Sequence, residues 1–144
     1  MDLKASQVNN YKIAMAFDFG LKRIGLAVGQ TLTKTAQPVH IFKADDGIPN
    51  WDTVSKYVNQ WAPDVLVVGL PLNMDGTESE MSLLAKNFAD KLRKRFVLPV
   101  KTFDERLSTF DAKGEAAEEY AKPDMYVDAI AAKLILESWF NSND

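Results

Sequence analysis

The hydrophobic residues of the chain fall first into short continuous runs of the length of single strands. YKIAMAFDF at 11–19 and DVLVVGL at 64–70 are apolar at nearly every position, which indicates strands buried on both faces. A turn at 20–23 follows the first run, so the first two strands are predicted to form a hairpin. Pro38 cannot donate to a strand ladder, which places it at a sheet edge or a bulge. The predicted strands cover residues 11–19, 24–29, 35–43, 64–70 and 100–105.

Other segments have apolar residues at helical spacing. The segment 51–61 carries them at positions 51, 54, 57, 58 and 61. The sequence T-E-S-E at 77–80 has the spacing of a capping box, so the next helix is predicted to begin there, with a buried stripe at positions 81, 84, 85, 88 and 92. A second possible cap at 108–111 precedes a short polar helix that ends near Tyr120. The last helix is predicted at 125–140, with positions 127, 130, 131, 134 and 135 on one face.

The order of these elements is β-β-β-α-β-α-β-α-α. A hairpin meander followed by β-α-β units predicts an α/β fold, with a five-stranded mixed sheet and helices on both faces. We expect one domain over residues 1–144, with residues 1–10 as a flexible tail. In such sheets, ligands bind beyond the carboxyl ends of the parallel strands.

Composition narrows the function classes. Cysteine is absent, which excludes disulfides and thiol chemistry, and no apolar run approaches the roughly 18 residues of a membrane span. Residues 1–10 lack the apolar core of a signal peptide, so a cytoplasmic location is expected. The formal net charge is −3, which argues against nucleic-acid binding through a positive field over the whole surface. A local basic patch or a site neutralised by metal ions stays possible.

Three acids stand where the predicted elements end or begin. Asp18 closes the first strand, Glu105 closes the fifth, and Asp128 lies in the first turn of the last helix. If the first, fourth and fifth strands are parallel neighbours, Asp18 and Glu105 reach the same rim of the sheet, and the last helix can bring Asp128 there. Asp104 should face the opposite way by strand alternation and is left out. Each acid alone also has an ordinary interpretation, as a turn former, a solvated strand end or a helix-dipole partner.

Close carboxylates repel one another unless cations neutralise them. A set of oxygen ligands favours a hard ion, Mg²⁺ or Mn²⁺. Two such ions about 3.5–4 Å apart can activate water and stabilise the leaving oxygen when a phosphodiester is cleaved. We therefore predict that Asp18, Glu105 and Asp128 are catalytic metal ligands.

Polar and basic residues near this rim could meet phosphates. Lys22 and Arg23 lie in the hairpin turn, and Arg106 directly follows Glu105. Asn73 lies in a loop between a parallel strand and a helix N-terminus, which is a natural anion site. Each of these four residues could equally be an ordinary surface or loop residue. His40, the single histidine, is interpreted as structural.

Four motifs in order resemble the YqgF family, also called RuvX. They are AFDFGLKRIGLAVG, VVGLPLNMDGT, DERLST and VDAIAAKLILESW, and the resemblance extends from about residue 12 to residue 140. It implies a ribonuclease H-like fold and a nuclease, for the 5′ end of pre-16S ribosomal RNA or for Holliday junctions. It also implies that the acidic site residues are Asp18, Glu105 and Asp128.

The sequence departs from the family pattern at two places. Ala129 follows the helix acid, where family members usually carry serine. The stretch at 114–124 is mostly acidic or apolar, where the family tends to have a basic loop. Neither departure changes the predicted metal ligands, whereas binding to nucleic acid is expected to be weaker.

Four functions are considered for this pattern. The first is a metal-dependent nuclease acting on ribosomal RNA precursor, and the second is a DNA junction endonuclease, which would need a two-fold dimer to cut symmetric strands. The third is a non-catalytic nucleic-acid-binding module, but the presence of all three acids argues against it. The fourth is an actin-like phosphotransferase, which needs two large lobes that 144 residues do not provide. The first is preferred, with RNA favoured over DNA as partner and no membrane association.

Overall fold

The computed structural model describes residues 11–107 and 127–142. Within these ranges the strands are β1 (Ile13–Asp18), β2 (Arg23–Gln30), β3 (Thr35–Asp45), β4 (Ile48–Pro49), β5 (Val65–Leu70) and β6 (Val100–Asp104). The helices are α1 (Trp51–Trp61), α2 (Glu80–Arg95) and α3 (Val127–Ser142), and one 3₁₀ turn, Glu105–Leu107, follows β6. The predictions for 1–10 and for the cap and helix at 108–120 lie outside the described residues.

A single mixed sheet organises the chain, in the strand order β4-β3-β2-β1-β5-β6. β1 pairs antiparallel with β2, as expected for a hairpin, and parallel with β5, which in turn pairs parallel with β6. The prediction that the first, fourth and fifth predicted strands are parallel neighbours is therefore confirmed. Their carboxyl ends lie at one rim of the sheet.

Strand alternation divides the core into two layers. Met15 and Phe17 of β1 pack on the side covered by α1 and α2, in a cluster that includes Val54 and Phe88. The intervening small residues of β1 face the other side, which α3 covers with side chains such as Leu136. Helices therefore lie on both faces, as predicted. No helix in the described parts of the chain has the length and apolar character needed to span a bilayer.

The sheet has six strands instead of the predicted five. β3 continues to Asp45, beyond its predicted end at residue 43, and the chain then returns as the two-residue strand β4. Asp46 and Gly47 between them both have positive φ, at 51° and 84°. Two such residues give the backbone twist that closes a tight hairpin, which is why an Asp-Gly pair extends the sheet here.

Pro38 lies at a bulge, as its missing donor predicted. The register between β2 and β3 shifts between Leu26 and Ala27, which align with His40 and Pro38. Val39 is therefore the extra residue of β3. Because a bulge bends its own strand, β3 changes direction at this position.

The predicted start of α2 at 77–80 is wrong by two residues. Ser79 is the N-cap, and its hydroxyl and backbone exchange hydrogen bonds with Ser82, at 2.9 and 2.8 Å. Thr77 is unavailable as a cap because its hydroxyl and its backbone N–H both donate to Asp75 Oδ1. The buried stripe of α3 also differs from the predicted one. Because α3 is apolar almost all round, several faces fit the spacing, and the residues that are buried are Ala129, Ile130, Ala132, Ile135, Leu136, Trp139 and Phe140.

Candidate functional site

Asp18 occupies the last position of β1, and its neighbours on the two adjacent strands are both glycines. It faces the α3 side, like Ala16, two positions earlier. Gly25 of β2 is its register partner. The parallel pairing with β5 ends at Phe17 and Val68, so Gly69 is the next residue beside Asp18 on that strand. The partly buried Asp18 is thus flanked by two positions without side chains.

Gly25 is required by the close approach of α3. A Cβ atom at this position would lie 2.0 Å from the backbone oxygen of Asp128 and 2.8 Å from the backbone nitrogen of Ala129. The first turn of α3 therefore rests directly on β2, which is possible only with glycine. This contact places Asp128 over Gly25, the β2 residue that pairs with Asp18.

Gly69 leaves room for the side chain of Glu105. A Cβ atom at Gly69 would lie 2.7 Å from Glu105 Oε1 and 2.7 Å from the terminal methyl carbon of Ile135. The Glu105 carboxylate thus lies over Gly69, on the α3 side of the sheet. Glu105 itself begins the 3₁₀ turn instead of ending the strand as predicted, because β6 stops at Asp104.

The three predicted acids therefore occupy neighbouring positions on one face of the sheet. Asp128 covers the glycine on one side of Asp18, and Glu105 covers the glycine on the other. As the side chains stand, however, no set of three or more acidic or histidine residues within 11–107 and 127–142 is arranged to hold a metal ion. The metal ligation predicted from the sequence is not shown by these positions alone.

The side chain of Asp128 is turned toward Arg23. Arg23 Nε donates to Asp128 Oδ2 at 2.9 Å, with side chains 45% and 28% exposed respectively. An ion pair this exposed is worth at most about 1 kcal/mol, so a stronger partner could displace either member. Lys22, the other predicted basic residue of the hairpin, has an exposed side chain, and its backbone oxygen accepts from Ala44 N at 2.8 Å.

Arg106 is held by an intramolecular clasp. Its guanidinium donates to both carboxylate oxygens of Asp104, with the shortest contact at 2.6 Å, and to the backbone oxygen of Met74 at 3.1 Å. Hydrogen bonds from Arg106 hold the pKa of Asp104 below its usual value. Asp104 lies on the opposite face from Phe103, which packs under α3, so the alternation argument that set Asp104 aside agrees with the structure.

Asn73 also supports the loop before α2. Its side-chain amide donates to Thr77 Oγ1 at 3.0 Å and to the backbone oxygen of Glu78 at 3.2 Å. Asp75, in the same loop, has its pKa lowered by hydrogen bonds from Thr77. Asn73 and Arg106 therefore stabilise one loop from its two sides. Their predicted contact with nucleic acid stays a prediction.

Gly25 and Gly69 were not among the residues predicted for the site. Each interrupts an otherwise apolar strand run, and a glycine inside a strand indicates close approach of another backbone or a ligand. That signal was available in the sequence. The atoms that approach each glycine could be identified only from the folded chain.

Comparisons with known proteins provide a matching family and named relatives. A family model described as "RuvX: Holliday junction resolvase" matches residues 12–142. A protein of Glaesserella parasuis, named "Putative pre-16S rRNA nuclease", is 57% identical over 129 residues, covering 88% of this chain and 94% of the relative. A protein of Haemophilus influenzae with the same name is 52% identical over 134 residues, covering 91% and 96%.

Solved structures share the fold at low sequence identity. RuvC of Thermus thermophilus in complex with a Holliday junction substrate superimposes with a TM-score of 0.55 at 17% identity, covering 90% of this chain and 94% of that one. A second T. thermophilus RuvC structure gives 0.54 at 12% identity, covering 90% and 95%. The predicted ribonuclease H-like fold is thereby confirmed. Together with the match over residues 12–142, these findings establish that the chain belongs to the RuvX family.

Proposed function

We propose that this protein is a metal-dependent nuclease that hydrolyses phosphodiester bonds at the 5′ end of pre-16S ribosomal RNA, in the cytoplasm. The observation that carries the proposal is the placement of Asp18 between Gly25 and Gly69, with Asp128 above one glycine and the Glu105 carboxylate above the other. Membership of the RuvX family and the names of the relatives supply the reaction class and the RNA.

The donor set fits Mg²⁺ or Mn²⁺. All three groups are carboxylates, the hard oxygen ligands that these ions prefer. The gap over Gly69 admits the Glu105 carboxylate, where a methyl group would exclude it from its present position. When bound, such ions would activate water and neutralise charge on the scissile phosphate. The ligands in this proposal are Asp18, Glu105 and Asp128.

The neighbouring cation Arg23 has two roles in this proposal. It neutralises the Asp128 carboxylate when that group is not otherwise engaged, at a contact of 2.9 Å. When Asp128 turns toward Asp18, the guanidinium becomes available to a phosphate of the substrate, a geometry to which arginine is suited. Lys22, exposed in the same hairpin, adds a second positive charge at this rim.

Arg106 and Asn73 contribute mainly by positioning. The side chains of both residues already donate hydrogen bonds to the loop before α2. Contact with substrate would require them to share these hydrogen bonds. We therefore expect substitutions of Lys22 and Arg23 to weaken RNA binding more than substitution of Asn73.

The test compares substrates with one preparation of the full chain. A pre-16S 5′ leader RNA, a DNA strand of the same sequence and a four-way DNA junction are incubated with Mn²⁺ or with excess chelator. Cleavage of the RNA by the wild type, and its loss in Asp18→Asn or in chelator, is the expected result. An RNA that stays intact with wild type and metal contradicts the proposal.

A junction endonuclease is the second candidate. The description of the matching family model favours it. Symmetric cutting requires two active sites related by a two-fold axis, hence a dimer. Resolution of the junction into symmetric nicked duplexes, with the RNA left whole, would establish this candidate and exclude the first.

A further inference from the structure

A shallow groove of about 380 Å³ opens beside the proposed cleavage site, between β3 and the first turn of α3. Its apolar floor on the α3 side is formed by Pro38, Ile41 and Ala129, and Val39 and His40 complete the lining along β3. Ala129 is buried, whereas Pro38 and Ile41 are partly exposed and form the part of the floor that a ligand can reach. The cations Arg23 and Lys43 line the same groove. We refer to Pro38, Ile41, Ala129, Arg23 and Lys43 together as the β3 groove.

The sheet register explains why these residues share one face. Ile41 aligns with Gly25, and Lys43 aligns with Arg23. Because α3 rests on Gly25, these cross-strand partners all face the α3 side. The bulge at Val39 returns Pro38 to the same side of β3. The groove is thus continuous with the first turn of α3 and with Asp128.

The charges of the groove are poorly compensated by the protein. Arg23 and Lys43 are directly opposite across two antiparallel strands, an arrangement in which like charges destabilise the pair. Arg23 has Asp128 as a partner, whereas Lys43 makes no ion pair with any residue in 11–107 or 127–142. An anion at the mouth of the groove would relieve this repulsion. The apolar floor would favour a ligand in which a flat, weakly polar group is attached to that anion.

We propose that the β3 groove binds one unpaired nucleotide adjacent to the scissile phosphate, with its base on Pro38 and Ile41 and its phosphate at Lys43 and Arg23. This inference rests on the proposed nuclease function and specifies how the strand is held. A nucleotide combines an anion with a flat, weakly polar ring, which matches both parts of the groove. Ala129 keeps this part of the floor apolar, because its side chain carries no polar atom.

Binding is measured without cleavage, by fluorescence anisotropy of a labelled single-stranded RNA in chelator. Lys43→Gln should weaken binding and lower the salt slope by about 0.7, since one phosphate contact is lost. Ile41→Ala should weaken binding about fivefold, because part of the apolar floor is removed. Lys56→Gln, an exposed site on α1, and Leu83→Ala, an exposed site on α2, are the matched controls and should change neither quantity.

An abasic nucleotide moved along the RNA separates base binding from general loss of affinity. At one position it should weaken binding to the wild type about fivefold and should cost Ile41→Ala nothing more, because the contact is already lost. Additive losses at every position would overturn the proposal. So would a loss in Lys43→Gln no larger than in Lys56→Gln, or the absence of RNA binding.

Binding and cleavage measured together distinguish failure of the groove proposal from failure of the nuclease proposal. If the wild type cleaves RNA and both groove variants bind and cleave like it, the β3 groove is excluded while the nuclease proposal stands. If position-specific coupling is measured but no substrate is cleaved with Mn²⁺, the groove is supported and the nuclease proposal fails. Melting temperatures of all variants, which should match the wild type within a few degrees, exclude misfolding as the cause.

Discussion

Replacement of Gly69 by alanine should separate catalysis from stability. The added Cβ would lie 2.7 Å from Glu105 Oε1, which is 0.7 Å short of the 3.4 Å at which ordinary contact begins. Its other close contacts are the terminal methyl carbon of Ile135 at 2.7 Å and Glu105 Cγ at 2.9 Å. All three neighbours are side-chain atoms, and Gly69 is not one of the described glycines with positive φ. The backbone can therefore accept alanine while the Glu105 carboxylate moves.

The expected magnitudes follow from this geometry. Overpacking of this kind costs about 1–3 kcal/mol, partly offset by the lower entropy of the unfolded alanine chain. For a domain of this size that is a fall of a few degrees in Tm. Misplacement of a catalytic group by about 1 Å can cost about 100-fold in rate. We expect Gly69→Ala to lose about 10- to 100-fold in kcat for the leader RNA while it stays folded.

Two other glycines provide the comparison. Gly29→Ala also overpacks the sheet, at the other end of β2, with its Cβ 2.5 Å from the backbone oxygen of Thr35 and 2.9 Å from Phe140. Because the nearest atom belongs to the backbone, this variant should lower Tm more than Gly69→Ala does, whereas the molecules that fold should keep a nearly unchanged kcat. Gly25→Ala would place Cβ 2.0 Å from a backbone oxygen, which cannot yield like a side chain, so it should destabilise the fold far more. A Gly69→Ala protein that cleaves at the wild-type rate would refute the placement of Glu105 in the catalytic site.

Three further predictions concern the charges of the site. Asp18→Asn should abolish cleavage and remove the Mn²⁺-dependent rise in Tm, which for a site saturated at 100 times Kd is worth about 2.7 kcal/mol in the wild type; an unchanged Mn²⁺ response would exclude Asp18 as a ligand. Arg23→Gln should bind Mn²⁺ up to about fivefold more tightly, because Asp128 loses a competing partner, and RNA more weakly; a calorimetric titration with weaker Mn²⁺ binding contradicts this. Arg106→Gln should be less stable than the wild type above pH 3.8, the ordinary pKa of Asp104, because the clasp lowers that pKa in the folded state. The Tm difference should shrink as the pH falls below 3.8, and a difference independent of pH would show that Arg106 does not stabilise the fold through the ionised Asp104 carboxylate.

Local patterns in the sequence were sufficient for most of the architecture. Continuous apolar runs identified β1 and β5 because a strand buried on both faces needs apolar side chains at every position. The 51–61 helix was predicted at the observed bounds because its apolar spacing is clear and Asn50 caps it. The same logic failed for the start of α2. Thr77 and Ser79 are both residue types that cap helices, and only the loop contacts of Thr77 decide between them.

The buried face of α3 and the additional strand β4 could not be predicted from local sequence patterns. A helix that is apolar almost all round has no unique stripe, so its orientation is set by where Gly25 and Gly29 let it approach the sheet. The strand β4 depends on pairing with the end of β3, a contact that exists only once the hairpin closes. Neither feature has a signal within a few residues along the chain.

The sequence by itself determined which acids could matter, because Asp18 and Glu105 follow strands predicted to be parallel and Asp128 opens a helix. It also carried the family resemblance that the comparisons bear out. The tertiary structure alone decided that two glycines flank Asp18, that Arg23 holds the Asp128 carboxylate, and that Arg23 and Lys43 meet across β2 and β3. These are contacts between residues far apart in the chain, up to 105 positions for the ion pair. Their geometry depends on sheet register and helix approach, which no local pattern of residues specifies.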